Sequence, residues 1–232
     1  AFFNLLNNLY DKYNLENLAL AGGCAMNSVA NGKVLLNTPF KKIYIQSAAG
    51  DAGGAIGAAL TTLFNVNKNK TNKKISPHSH AYWGPSFKDE EIEKVINLKR
   101  DKIEIEKFDI NYFSNNSELT KRTAKEIAEG KVIGWFQGSM EWGPRALGNR
   151  SIICDPRRSD MKEILNVKIK RRESFRPFAP SVLHHEVKNW FEQYQEVPFM
   201  MQVYQILENK RKLIPAVTHV DGSGRLQTVN QN

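Results

Sequence analysis

Arginine and lysine side chains are concentrated in residues 130–180, a stretch that glycine and proline break repeatedly. Five of these cations are candidates for binding an anion: Arg145, Arg150, Lys170, Arg172 and Arg176. Guanidinium groups bind phosphate through paired hydrogen bonds, and glycine lets the backbone come close to a ligand. A solvated basic surface is the alternative, but cations held in loops rather than along a helix face favour a phosphate site.

Two glycine-rich loops each follow a short apolar run and open a predicted helix. In the first, Ala21–Asn27, consecutive small residues leave backbone N–H groups free to meet an anion. The second, Gly50–Ala55, carries Asp51, and an acidic residue followed by glycines is typical of a metal or ribose contact. The alternative for Asp51 is a helix N-cap. Cys24 has no histidine near it in sequence, so we interpret it as a small buried residue rather than a nucleophile.

Hydrophobic periodicity predicts the elements that position these loops. The first part of the chain is predicted to contain three helices, at 2–16, at 55–64 and, between them, from the first glycine loop to about 36. Its predicted strands are at 18–20 and 42–46. The later part is predicted to contain helices at 86–97 (with Ser86 as N-cap), 118–129 and 161–169, and strands at 103–108, 131–137, 181–183, 201–207 and 214–217. The order strand, glycine loop, helix occurs twice, which predicts an α/β sheet with ligand loops at the strand ends.

Composition excludes several classes of protein. Hydrophobic residues make up 41% and charged residues 25% of the chain, as in ordinary globular proteins, and no apolar run approaches the roughly 20 residues that span a bilayer. The two cysteines, Cys24 and Cys154, lie far apart, which favours a reducing, cytoplasmic setting over a disulfide. Nothing in the composition excludes an oligomer.

The net charge of +9 raises the question of nucleic-acid binding. Residues 121–180 hold fourteen Lys and Arg against seven Asp and Glu. That segment has no zinc-finger spacing, no helix-turn-helix pattern and no aromatic residues at the spacing of RNA-binding motifs. Nucleic acid is therefore disfavoured as a partner relative to a small anionic molecule, and a basic RNA-binding module remains the alternative.

Five stretches, in this order and spacing, resemble the NodU/CmcH-type O-carbamoyltransferases. They are LALAGGCAMNSVANGK (18–33), GDAGGAIGAAL (50–60), WFQGSMEWGPRALGNRSIICDPR (135–157), KRRESFRPFAPSVL (170–183) and IPAVTHVDGSGRLQTV (214–229). The resemblance implies an α/β fold in two parts. Residues 1–66 would be the end of an actin/hexokinase-like carbamoyl-transfer domain, 67–79 a polar linker, and 80–232 a YrdC-like domain truncated at its C-terminus.

The resemblance also implies a function. The YrdC-like domain of the family makes carbamoyl-adenylate from carbamoyl phosphate and ATP with Mg²⁺, and the other domain transfers the carbamoyl group to an alcohol, in nodulation-factor or antibiotic biosynthesis. That transfer domain holds a divalent, iron-type metal, but its His-x-x-x-His-type pair is absent here and only Asp51 matches a metal ligand. This chain thus looks like a fragment cut at both ends. A sugar-kinase-like ATPase of the same superfamily is a third interpretation, but it gives the run Lys170–Pro177 no role.

The matching motifs imply roles for individual residues. Lys170–Pro177 matches the Lys-x-Arg-x-x-x-(Lys/Arg)-Pro signature of YrdC-type proteins, which implies catalytic roles for Lys170, Arg172 and Arg176. The full set predicted to bind ATP or carbamoyl phosphate is Arg145, Arg150, Ser151, Lys170, Arg172, Arg176, His219 and Arg225. Those predicted to bind a nucleotide in the transfer domain are Gly22, Gly23, Asn27 and Gly53, and the predicted metal ligand is Asp51.

For two loops, the sequence leaves two interpretations open. In Thr218–Arg225, we expect His219 and Ser223 to hydrogen-bond a nucleotide or the carbamoyl amide and Arg225 to bind phosphate, whereas the alternative is a plain turn at Asp221-Gly222. In Trp142–Gly148, we expect unusual backbone dihedrals at both glycines, with Trp142 as either a pocket wall or a core residue.

Overall fold

The computed structural model describes residues 1–67 and 79–230, so all but the ends of the predicted linker 67–79 lies outside the described residues. Two compact units make up the chain. The first unit comprises Ala1–Ala81, Trp142–Leu147 and Pro156–Asn232, and the second comprises Tyr82–Glu141 and Gly148–Asp155. The chain before the predicted linker and the chain after residue 155 thus share one unit, and the division into domains at 1–66 and 80–232 stays a prediction.

The N-terminal part of the first unit has the predicted α/β order. Its elements are α1 (Phe2–Tyr13), β1 (Asn17–Leu20), a 3₁₀-helix (Gly23–Met26), α2 (Ser28–Gly32), α3 (Val34–Asn37), β2 (Lys42–Ile45) and α4 (Gly53–Asn67). Strands β1 and β2 pair in parallel, with Leu18 opposite Ile43. The helix predicted from the first glycine loop to about residue 36 is two short helices, α2 and α3, and Asn27 caps α2 by accepting the Ala30 N–H.

The C-terminal part of the first unit is built from short elements around its own apolar core. These are α8 (Met161–Glu163), a π-helix (Ile164–Lys170), β5 (Ser181–Leu183), a 3₁₀-helix (His184–Asn189), β6 (Val203–Gln205), α9 (Glu208–Arg211), β7 (Ser223–Arg225) and β8 (Gln227–Val229). Strand β5 pairs in parallel with β8, and β6 pairs antiparallel with β7. Buried Phe191, Tyr204, Ile206 and Leu226 are central to this core.

A second core joins the two parts of the first unit. Ala25, Ile45 and Ala49 pack in one cluster with Phe199 and Met201. The amide of Asn31, which is fully buried, donates to the Ala25 carbonyl at 2.8 Å and to the Met201 carbonyl at 3.0 Å. A buried amide nitrogen that donates to both parts ties them more specifically than apolar contact does.

The second unit contains α5 (Asp89–Leu98), α6 (Arg100–Ile105), α7 (Asn116–Ala128), β3 (Ile133–Phe136) and β4 (Arg150–Ile153), with β3 and β4 antiparallel. None of its three helices, all within the described residues, has a fully buried side chain. The N-cap of α5 is Lys88, not the predicted Ser86, because the Glu91 carboxylate accepts the Lys88 N–H at 2.9 Å.

Three further local predictions were wrong. Residues 103–108 alternate like a strand, but Arg100–Ile105 is helix α6, favoured by strong helix formers and the i,i+4 pair Lys102–Glu106. Residues 214–217 form a turn rather than a strand, since Val217 N–H donates to the Ile214 carbonyl. Cys24 is exposed, not buried, and both cysteines are free. Among the helices of the described residues, none combines the length and hydrophobicity needed to cross a lipid bilayer.

Candidate functional site

Three arginines from distant parts of the sequence lie close together in the first unit. Burial lowers the pKa of Arg225 to about 10, and the two neighbours that lower it further are both cations, Arg145 and Arg172. Burial likewise lowers the pKa of Arg145 and of Arg172. Arginine keeps its proton in proteins, so the lowered pKa values indicate a free-energy cost of burying these cations, to which repulsion between like charges adds at Arg172 and Arg225. An anion bound among the three, here called the arginine cluster, would remove that cost.

Arg172 is held in place from two sides. Its Nε donates to the Asn166 side-chain oxygen at 2.7 Å, and its guanidinium lies 4.9 Å from the centre of the Phe178 ring. Asn166 is fully buried in the π-helix, and its amide donates to the carbonyls of Ser174 (3.1 Å) and Arg176 (2.9 Å). One buried side chain therefore sets the shape of the whole loop that follows. A π-helix turn is a common feature of functional sites.

Arg145 lies in a segment that contacts the loop after β2. Trp142 Nε1 donates to the Ala52 carbonyl and Ser47 Oγ donates to the Trp142 carbonyl, each at 2.9 Å. Gly143 has φ +130°, and a Cβ there would lie 2.6 Å from the Ser47 carbonyl oxygen. The unusual dihedrals predicted at Gly143 and Gly148 are confirmed, since Gly148 has φ +121°. Trp142 is partly exposed and is no core residue.

The loop before Arg225 forms a chain of polar contacts. Ser223 Oγ donates to Asp221 Oδ1 at 2.6 Å, and His219 Nδ1 lies 3.0 Å from the same Ser223 Oγ. Gly222, with φ +79°, makes the tight turn that was the alternative, and its N–H donates to the His219 carbonyl. The loop thus contains both the tight turn and the chain of polar contacts. Among the described residues, His219 Nε2 and Arg225 Nε are buried without a hydrogen-bond partner.

The remaining predicted anion ligands are arranged differently. Lys170 and Arg176 are exposed, and Arg176 pairs with Glu173 at 2.8 Å, although repulsion from Arg176 also lowers the pKa of Arg172. Arg150 and Ser151 belong to the second unit. There Arg150 Nε lies 2.9 Å from the buried Glu141 carboxylate in an ion pair, and Ser151 Oγ accepts the Gly148 N–H. The roles proposed for these four residues stay predictions.

The predicted transfer-domain residues lie in two adjacent loops. Because β1 and β2 are parallel, the loops that follow them meet at one sheet edge, and the Gly22 N–H donates to the Ala49 carbonyl at 2.7 Å. Gly22 has φ +96°, and Gly23 opens the 3₁₀-helix that precedes Asn27. A Cβ at Gly53 would collide with the Ala48 carbonyl. We call residues 21–27 and 47–54 the glycine loops.

Asp51 is exposed at the tip of the second glycine loop. Among residues 1–67 and 79–230, no three His, Cys, Asp or Glu side chains form a group that could hold a metal ion. Asp51 alone therefore does not make a metal site within these residues. A surface groove of about 620 Å³ lies along α7 in the second unit, but none of the predicted site residues lines it.

Comparison with known proteins matches both ends of this chain to one family. Residues 2–60 match the family described as Carbamoyltransferase N-terminus, and residues 124–232 match Carbamoyltransferase C-terminus. The arginine cluster lies within the second match, and the glycine loops lie within the first.

Individual relatives agree. An uncharacterized protein of Synechocystis is 45% identical over 97% of this chain, and nodulation protein NolNO of Sinorhizobium fredii is 43% identical over 99%. Nodulation protein U of Azorhizobium caulinodans is 31% identical over 92%. The chain spans 39%, 33% and 34%, respectively, of these three relatives, so they are much longer than the sequence described here.

Proposed function

Because this chain belongs to the carbamoyltransferase family, we propose that it is part of an ATP-dependent O-carbamoyltransferase. Its substrates would be carbamoyl phosphate, ATP with Mg²⁺ and an alcohol. In this proposal, residues 1–66 end an actin/hexokinase-like transfer domain and residues from about 80 onward belong to a YrdC-like adenylate-forming domain. Relatives named as nodulation proteins suggest an acceptor of the kind those proteins use.

The arginine cluster is the observation that supports the adenylation step. Hydrolysis of carbamoyl phosphate gives carbamate and phosphate. A carbamate oxygen then attacks the α-phosphorus of ATP, the bond to the β-phosphate oxygen breaks, and pyrophosphate leaves. Negative charge stays on phosphoryl oxygens throughout, so guanidinium groups fixed before the substrate arrives stabilise the transition state. Arg145, Arg172 and Arg225 have that role, and exposed Lys170 and Arg176 add further contacts from the same loop.

The transfer step is assigned to the glycine loops. The acceptor hydroxyl oxygen attacks the carbonyl carbon of carbamoyl-adenylate, AMP leaves, and the hydroxyl proton passes to solvent. The left-handed turn at Gly22, the backbone N–H group of Gly23 and the tight turn at Gly53 let a nucleotide approach the sheet edge closely. The divalent metal that the family resemblance implies would need ligands besides Asp51.

The test is pyrophosphate release that depends on both ATP and carbamoyl phosphate, measured with the protein at its full length. Replacing Arg225 by alanine should reduce the rate at least about tenfold, the loss expected for roughly 1.4 kcal/mol of phosphate contact. Lys168→Ala is the matched control, since it removes one exposed positive charge from the π-helix. Equal rates in both variants would remove Arg225 from the site. Affinity for a random RNA that exceeds that for ATP and falls log-linearly with salt would favour the RNA-binding alternative.

A further inference from the structure

The contacts of His219 determine which of its ring nitrogens carries the proton. The Ser223 hydroxyl has one hydrogen, and the 2.6 Å contact to Asp221 Oδ1 uses it. Asp221 also accepts the Ser223 N–H at 3.1 Å, and these hydrogen bonds lower the pKa of Asp221, so it is an anion at neutral pH. Ser223 Oγ can then only accept from His219, at 3.0 Å, which places a proton on Nδ1.

His219 therefore presents a bare lone pair at Nε2. Burial lowers the pKa of His219, and the cations Arg225 and Lys162 lower it further against the opposing effect of Asp221, so the ring is neutral at pH 7. Nε2 is buried, and within the described residues it accepts no hydrogen bond. A buried acceptor without a donor carries a cost in free energy that a ligand N–H would recover.

The cationic side chains around this acceptor lone pair are all hydrogen-bond donors. Arg225 and Lys162 can donate hydrogen bonds but have no acceptor atom, and the same holds for Arg145 and Arg172 beside Arg225. A ligand complementary to these groups has oxygen acceptors for the cations and an N–H donor for His219. Carbamoyl phosphate carries phosphoryl and carbonyl oxygens together with one amino group.

We propose that His219 Nε2 accepts a hydrogen bond from the amino group of the carbamoyl substrate, and that the Asp221–Ser223 pair keeps it in the tautomer that can do so. This rests on the proposed function of the arginine cluster. It makes His219 the residue that selects a carbamoyl group over an acyl group of the same shape. A site built to pair a substrate N–H rejects an analogue that lacks it far more strongly than one differing in shape alone.

Two stable analogues separate this role from general anion binding. Phosphonoacetamide keeps the amino group of carbamoyl phosphate, and 2-oxopropylphosphonate has a methyl group in its place. Calorimetry on the full-length protein should show phosphonoacetamide binding at least about tenfold more tightly. His219→Ala should abolish that preference while leaving the affinity for 2-oxopropylphosphonate within about twofold. His219→Gln, which keeps an acceptor oxygen, should restore part of the preference.

Several results would overturn the proposal. Equal weakening of both analogues by His219→Ala would mean that His219 supports anion binding or folding alone, and equal binding of both by the unaltered protein would mean no selection. A loss confined to ATP would assign the lone pair to the adenine amino group. The binding measurements need no turnover. The proposed function is therefore tested separately, by pyrophosphate release.

The tautomer has its own measurement that needs no variant to fold. In the unaltered protein at pH 7, the histidine ¹⁵N chemical shifts should show His219 Nε2 unprotonated and Nδ1 protonated. Ser223→Ala removes the acceptor that orients the ring, so it should move part of the population to the other tautomer and reduce the preference for phosphonoacetamide. A proton found on Nε2 in the unaltered protein would contradict the proposal.

Discussion

The arginine cluster presents charged side chains to a ligand, whereas the glycine loops present backbone. In the cluster, each guanidinium stands at the end of a long, flexible side chain, and other residues must hold it, as Asn166 and Phe178 hold Arg172. In the glycine loops, close packing of main chain on main chain does this work, as between Gly22 and Ala49. Mutations should therefore damage the two surfaces in different ways. Removing a side chain should disrupt the arginine cluster, whereas adding a side chain should disrupt the glycine loops.

Adjacent glycines give the sharpest test of the loops. A Cβ at Gly53 would collide with the Ala48 carbonyl, while at Gly54 it would meet nothing within 4 Å among the described residues. Gly53→Ala should lower the free energy of unfolding by about 3 kcal/mol, the upper range for overpacking. Gly54→Ala lies in helix α4 and should be neutral or stabilising by about 0.5 kcal/mol. Denaturation midpoints of both variants would show it, and equal effects would contradict the packing argument.

Asn166 tests whether the cluster depends on its support. Asn166→Ala removes three side-chain hydrogen bonds inside the first unit and should cost about 2 kcal/mol of stability. It should also raise the KM for ATP about tenfold, because Arg172 loses its orientation. In an Arg172→Ala background the KM effect should largely vanish, since coupled residues are not additive. A KM effect that persists in that background would show that Asn166 acts through another residue.

Trp142 connects the two surfaces, because its indole contacts a glycine loop and Arg145 follows three residues later. Trp142→Phe keeps most of the ring and loses the hydrogen bond to Ala52, so it should cost about 1 kcal/mol. The same variant tests Trp142 as a fluorescent reporter of ATP binding in the full-length protein. If the variant keeps the full quench on ATP titration, Trp142 is not the reporter.

The smallest expected effect concerns pH. His219 has a lowered pKa in the folded protein, so the unfolded chain binds a proton that the folded one does not. Its contribution to stability is complete above about pH 6.5, the ordinary histidine value, and is lost as the pH falls through the lowered pKa. His219→Asn should make the decline in stability over that acidic window shallower. An unchanged pH profile would mean that His219 is not the group titrating there.

The sequence predicted those elements in which local pattern and packing agree. The strands β1 and β2 combine apolar residues with flanking glycine loops, and both form within a few residues of their predicted bounds. The run at 103–108 alternates equally well, but no neighbouring strand pairs with it among the described residues, and its Glu and Lys residues favour a helix. Alternation alone cannot supply a partner strand.

The site residues likewise divide into those that a local sequence pattern indicates and those that depend on the fold. Arg172 and Arg225 stand in recognisable motifs, so the sequence could indicate them. Asn166 was missed, because a lone asparagine in the run ILNVKIK does not show whether it faces solvent or the core. That Arg145 would join Arg225 depends on contacts across eighty residues, which no local pattern encodes.

The two free thiols differ in a way that matters for labelling. Cys24 is exposed in the first glycine loop, whereas burial raises the pKa of Cys154 to about 11, so at pH 8 very little of Cys154 is the reactive thiolate. A maleimide dye or spin label used at limiting amounts should therefore attach at Cys24. Because Cys24 belongs to the 3₁₀-helix Gly23–Met26, the label would stand within the first glycine loop itself. The native sequence thus already contains an attachment point for following that loop in solution.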